Sequence, residues 1–310
     1  AAYLRRESPD ILIAMPAFIN IPAAIAKKTA SWRGKLIIIE QATMSHKAYV
    51  EHKGEFVMGN MPKFAKLFYR FADSLVGVSS GVIGDLKENI GLTKPRMFCI
   101  PNPVNIDLIL RKADTVPKER IDPWLDNGVG IPCFVSVGRL ALQKDFSSLI
   151  EAFYIVRSVE NARLLILGEG PLRLQLEYQI KKLGLEDSVR LPGFIENPYP
   201  HIRHACGFIL SSKEEGFGLV LVEALCLGTP IVSVDSIGGG PREILDGGRY
   251  GALVKRDLPD ALAEEIVNLL NLNDDRRNRM IEEGRVRAYH FSPSEIGKSW
   301  DRLLDSLIKW

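Results

Sequence analysis

Between Phe208 and Asp235 the chain alternates in a way that admits few folds. A short apolar run, Phe208-Ile209-Leu210, leads through Ser211-Ser212 into the polar turn Lys213-Glu214-Glu215-Gly216-Phe217-Gly218. A second apolar run, Leu219 to Leu227, suffices for about two to three helical turns and stops at Gly228-Thr229-Pro230. A third, Ile231-Val232-Ser233-Val234, is again short. Strand, loop, helix and strand in this order form the crossover unit of a parallel sheet, and open parallel sheets bind ligands above their strand ends. The first N–H groups of the helix lack intrahelical partners and sit at its positive end, so the turn is an anion site in waiting. Gly216 and Gly218 allow a ligand close to the main chain, while Glu223, about two turns on, offers a carboxylate to hydroxyls. Phosphate at the helix start with hydroxyls beside it describes a sugar nucleotide.

The same alternation runs through the rest of the chain. Strands are expected at Asp10–Ala14, Lys35–Glu40, Leu75–Val78 and Met97–Ile100, then at Cys133–Gly138, Leu164–Leu167, Val189–Leu191 and near Gly251–Val254. Helices are expected at Ile21–Thr29, irregular near Pro22, at Pro62–Phe71, from Ser79-Ser80-Gly81 to about Asn89, at Leu258–Leu270, at Asp274–Tyr289 and at Ser294–Trp310. The polar stretch 112–132 shows no period and reads as a linker. The fold class is therefore α/β with parallel sheets. The 310 residues divide into a first domain at 1–118, a second at 119–290 and a terminal helix at 291–310.

Net charge is only +2, which calls for no nucleic-acid partner. Residues 1–129 carry 18 Lys and Arg against 13 Asp and Glu, and residues 130–310 carry 22 against 25. The basic first half is compatible with an anionic membrane surface, and Lys53 to Arg70 mixes bases with Phe56, Met58, Phe64, Leu67 and Phe68 in the manner of a membrane-docking face. Cys99, Cys133, Cys206 and Cys226 have no metal-ligand spacing and read as buried thiols of a reducing compartment. No apolar stretch has the length of a membrane span, and the expected location is cytoplasmic, peripheral on the inner face of the plasma membrane.

Several short runs, taken in order, carry a family resemblance. They are Gly138-Arg139-Leu140 with Lys144-Asp145, Leu167-Gly168-Glu169-Gly170-Pro171, Gly193-Phe194, Glu215-Gly216-Phe217-Gly218 through Glu223-Ala224-Leu225, and Gly239-Gly240-Pro241-Arg242-Glu243-Ile244. Together they resemble the family 4 retaining glycosyltransferases of the GT-B fold, in which two Rossmann-like domains face each other across a cleft. The resemblance implies that Arg139 and Lys144 clamp the donor diphosphate, where charge develops as the glycosidic bond breaks. It assigns Glu215 to the transferred sugar and Glu223 to the ribose. Gly193 and Phe194 border the base, and Gly138 with Gly216, Phe217, Gly218 and Leu219 lines the donor site. It implies no cofactor and no metal, a nucleoside-diphosphate sugar as donor, with UDP favoured by the 240–244 segment, and a saccharide or polyprenyl-linked saccharide as acceptor in envelope polysaccharide or glycolipid synthesis.

Two departures from the family pattern stand out. Members carry further elements before the segment that Pro9–Ile13 resembles, so the first domain is expected to be N-terminally truncated. They also often place a histidine just after the strand resembling Lys35–Glu40, where this chain has Gln41, with His46 five residues later as the acceptor-side substitute. A non-catalytic nucleotide-sugar-binding protein is thus an alternative to an enzyme, and a GT-B epimerase or phosphorylase a third. Epimerases lack the Glu215 to Glu223 arrangement.

Overall fold

A computed structural model describes residues 1–48, 55–115, 121–126 and 130–308. Ten strands are present among them: β1 (Ile11–Ala14), β2 (Lys35–Glu40), β3 (Ser74–Gly77), β4 (Arg96–Cys99), β5 (Cys133–Val137), β6 (Arg163–Leu167), β7 (Val189–Gly193), β8 (Gly207–Leu210), β9 (Ile231–Val234) and β10 (Ala252–Val254). They form two wholly parallel sheets, one of order β1-β2-β3-β4 and one of order β10-β9-β8-β5-β6-β7. Read from its other edge, the second sheet has the doubly wound order 3-2-1-4-5-6, whose direction reverses between β5 and β8. The chain folds as two Rossmann-like α/β units facing a cleft, as expected of the GT-B architecture.

The inner strands of both sheets are covered on both faces, which is why they read as near-continuous aliphatic runs. Leu36 and Ile38 of β2 point into a core with Ala24, Trp32 and Tyr69, while Ile37 points the other way, toward Val76, Val82 and Ile100. That second core also holds Ile296 and Leu303 of the terminal helix Pro293–Ile308, and Val135, Phe208 and Leu221 of the second unit. One apolar core therefore runs from one sheet to the other. On the far face of the second sheet, Phe134, Ile166 and Val232 pack against the helices Phe146–Val159 and Pro259–Leu270.

The structure departs from the sequence reading in several places, the unanticipated helix Ala2–Glu7 and the half-buried Cys206 among them. The first long helix starts at Ala17, ahead of Ile21, and continues through Pro22; Asn20 explains the earlier start, since its side chain turns inward to bond the Ile39 carbonyl at 2.9 Å and Glu40 at 2.8 Å. A helix at Ile106–Asp114 was not anticipated. Asn105 caps it, accepting from Leu108 N, and its Ile106, Ile109 and Ala113 join the core shared with Leu225 and Cys226. Downstream of it, Trp124 is buried between Arg190, 3.8 Å from the ring centroid, and Arg163, at 4.9 Å. Finally, Cys99 is exposed, because β4 is an edge strand with solvent on one side. The basic stretch expected to face a membrane lies partly outside the described residues, and no helix among those described is long and apolar enough to cross a membrane.

Candidate active site

The loops after β5, β8 and β9 meet above the point where the strand order reverses. After β5 the chain passes Gly138, whose carbonyl lies so close to Gly168 that a Cβ there would stand 1.9 Å away. Arg139 follows, exposed and without an ion pair among the described residues. Lys144 ends a tight turn whose next residue, Asp145, is left-handed at φ 47°. The turn aims Lys144 at the loop after β8, where its Nζ donates to Glu215 Oε1. Ser212 donates to the same oxygen at 2.9 Å, and Glu215 is 8% exposed. The pair thus joins residues 71 apart in sequence, one from each side of the reversal.

The main chain around Glu215 is held by its neighbour loop. Glu215 N donates to the Ile237 carbonyl at 2.9 Å, and Gly240 N donates back to the Glu215 carbonyl at 3.2 Å. Gly216 admits no side chain, since its Cβ would lie 1.9 Å from the Gln41 carbonyl of the other domain. Gly218, at φ 91°, turns the chain into the helix Leu219–Leu227, whose opening N–H groups no side chain caps. Phe217 is buried and packs edge-on against Phe291 at 5.5 Å, so only its main chain is available to a ligand. Leu219 is partly exposed. Glu223 lies one face along the helix, with the Tyr199 hydroxyl 3.4 Å from its Oε1, and burial raises its carboxyl above the usual range. At the end of β7, Gly193 is left-handed at φ 99° and Phe194 projects into solvent, 73% exposed, so it is no core residue.

The two acceptor-side candidates part company. The Gln41 amide forms a reciprocal pair with Asn102, at 2.9 and 3.3 Å. His46 instead reaches the second domain, its Nδ1 3.1 Å from Glu214 Oε2, while Thr43 donates to Glu214 Oε1 at 2.7 Å. A carboxylate only accepts, so Nδ1 carries the proton. Glu214 is 1% exposed, and sequence reasoning gave it no role. The signal lay in the doublet itself: Glu214 bridges Ile237 as an extended residue, and neighbours in extended chain face opposite sides. Glu215 therefore faces Lys144 and Glu214 faces the other domain. Asn102, Thr43, Ser212 and Tyr199 were likewise missed, each being a polar residue that no motif singles out. Among the described residues no group of three or more His, Cys, Asp or Glu is placed to hold a metal ion.

Two Rossmann-like units with wholly parallel sheets facing a cleft define a protein of the GT-B fold. The chain belongs to the glycosyl transferases group 1 family, whose model matches residues 119–287, more than half of its length. It is 30% identical over 272 residues to an uncharacterized glycosyltransferase of Methanocaldococcus jannaschii, covering 78% of this chain and 66% of that protein. It is 28% identical over 284 residues to the N-acetylgalactosamine-N,N'-diacetylbacillosaminyl-diphospho-undecaprenol 4-alpha-N-acetylgalactosaminyltransferase of Campylobacter jejuni, covering 91% and 73%. The chain thus spans about two thirds of the length of the archaeal relative. Among solved structures, the fold is shared with HepE of Anabaena in complex with UDP, at TM-score 0.78 and 20% identity over 99% of this chain and 82% of that one. Sucrose-phosphate synthase of Thermosynechococcus elongatus gives TM-score 0.81 at 20% identity, over 99% and 76%.

Proposed function

We propose that the protein is a retaining, family 4 glycosyltransferase. It moves a hexose or N-acetylhexosamine from a nucleoside-diphosphate sugar, favouring UDP, to a saccharide or lipid-linked saccharide in envelope polysaccharide or glycolipid synthesis. The observation that carries this reading is the Lys144–Glu215 pair at the β5/β8 reversal, beside the open start of the helix Leu219–Leu227. In it, Arg139, Lys144 and the helix start neutralise the diphosphate as it departs, and Glu215 holds the sugar hydroxyls. Glu223 takes the ribose, while Gly193 and Phe194 border the base. The departing phosphate oxygen takes the acceptor's proton from the same face, so no protein nucleophile is needed.

Calorimetric titration with UDP, GDP and ADP sugars, followed by product analysis of the anomeric linkage, tests both parts. Donor binding that tolerates a chelator, with the α-linked product of an α-linked donor, supports the reading; absence of nucleotide binding overturns it. The Gln41–Asn102 pair favours one second reading, a protein that binds the sugar nucleotide without transferring it, because an amide locked by its partner stands where the family often has histidine.

A further inference from the structure

Beside the Glu214–His46 contact lies a cavity of about 900 Å³ with walls from both domains. Ile237 and Gly238 close one side, and Ile237 is the residue whose carbonyl accepts from Glu215 N. The cavity is thus one residue layer from the candidate reaction site. Its opposite walls are the loop from Thr43 to His46 and the helical segment from Ser80 to Asn89, whose last five residues, Asp85–Asn89, form a π-helix. Such turns gather at functional sites.

The polar groups around this cavity share one bias. Thr43 gives its hydroxyl proton to Glu214, Ser80 to Glu243 at 2.8 Å and Ser45 to Asp85, so each hydroxyl is left with lone pairs only. His46 holds its Nδ1 proton against Glu214 as well. Asn89 gives an amide proton to Asp85 at 2.8 Å, and Glu88 is exposed, with no ion pair among the described residues. The described residues that line the space include no lysine, arginine, phenylalanine, tyrosine or tryptophan. Among the described residues, an anion entering here would meet the carboxylates of Asp85 and Glu88 and no lysine or arginine, at a large desolvation cost. A molecule dense in hydroxyl donors and free of negative charge meets acceptors on the described walls.

We propose that this cavity receives the uncharged terminal sugar of the acceptor and rejects acidic or phosphorylated sugars. The inference rests on the transferase reading above. For an acceptor carried on a lipid diphosphate, the diphosphate then lies outside the cavity.

Ligand-observed NMR titration of the full chain in the presence of UDP tests it with neutral methyl hexosides and N-acetylhexosaminides, methyl glucuronide and glucosamine. The neutral glycosides are expected to bind, with the glucuronide weaker by about tenfold or more, the effect of one unpaired buried charge contact. Gly84 lines the cavity in ordinary helical geometry, and a Cβ on it meets nothing within 4 Å. Gly84→Leu therefore fills the space without backbone strain, and is expected to cut neutral glycoside affinity about tenfold while leaving UDP affinity unchanged. Glu88→Lys is expected to narrow the gap between hexoside and glucuronide. Equal binding of the glucuronide, neutral glycosides that fail to bind or ignore Gly84→Leu, or glucosamine bound tenfold more tightly than the neutral hexosides would overturn the inference and leave the transferase reading standing. Absence of UDP binding would overturn that reading, and this inference with it.

Discussion

Lys144 and Arg139 are five positions apart and differ in what they do before any ligand arrives. Lys144 already balances a carboxylate that is almost out of water, whereas Arg139 is exposed with no ion pair among the described residues. Both should weaken nucleoside diphosphate binding when cut to alanine, each by on the order of 1.5–3 kcal/mol for a charged hydrogen bond. Only Lys144→Ala should also lower the melting temperature, because it leaves Glu215 buried without its cation. Calorimetry with UDP and a thermal melt of both variants separate the two effects, and equal melting temperatures would remove the structural half of this account. The two glutamates separate in the same way. Glu223→Gln should chiefly raise the donor dissociation constant and Glu215→Gln chiefly lower kcat, so parallel losses in both constants would show that the division of roles is wrong. At this scale the sequence named candidates where a motif carried a residue, as with Glu215 and Gly218. It was silent where a residue matters only through a distant partner, as Thr43 and Tyr199 do.

Strands were legible almost to their ends, because a parallel strand covered on both faces is an unbroken aliphatic run, and β2 and β9 coincide with the runs that announce them. The helix Ile106–Asp114 was not, although Ile106, Ile109, Leu110 and Ala113 recur at helical spacing, because its last turn runs into the polar stretch read as a linker. Polar residues closing the ends of strands were equally hidden. Glu40, the last residue of β2, is fully buried where the helix Ala17–Ala30 and the turn Tyr69–Phe71 meet, and accepts from Asn20 and Tyr69. Burial, opposed by these hydrogen bonds, pushes its carboxyl up from 4.5 to about 7. The folded protein therefore holds a proton there that the unfolded chain releases near pH 4.5. This contribution is complete below that pH, declines as pH rises and is gone above about 7, for a total on the order of 3 kcal/mol. Urea midpoints measured between pH 4.5 and 8 should show this decline in the wild type and lose it in Glu40→Gln. A decline of the same size in the variant would assign it to other groups.

Across the whole molecule, the two domains are joined by contacts that no local pattern announces. Ser79 donates to the Gly238 carbonyl at 2.5 Å, Ser80 donates to Glu243, and Gly81 is pressed so close to Gly238 that a Cβ would stand 2.4 Å from its carbonyl. These bonds surround Glu214, which takes both Thr43 and His46 from the opposite domain while its neighbour Glu215 serves the donor side. One extended dipeptide therefore ties the closing of the cleft to the placing of the donor-side carboxylate. Removing the Glu214 carboxylate strands a buried hydroxyl and an imidazole N–H, a change that loosens the loop following β2 more than it disturbs either core. Glu214→Ala should speed amide exchange in residues 41–46 by about tenfold, the equivalent of a lost hydrogen bond, and should lower kcat. UDP affinity, which depends on Arg139 and Lys144, should hold. Glu214→Gln keeps one acceptor oxygen and should fall between wild type and alanine in both measurements. Unchanged exchange at 41–46 in the alanine variant, or a loss of UDP affinity as large as that of Lys144→Ala, would show that Glu214 belongs to the donor site and does not join the domains.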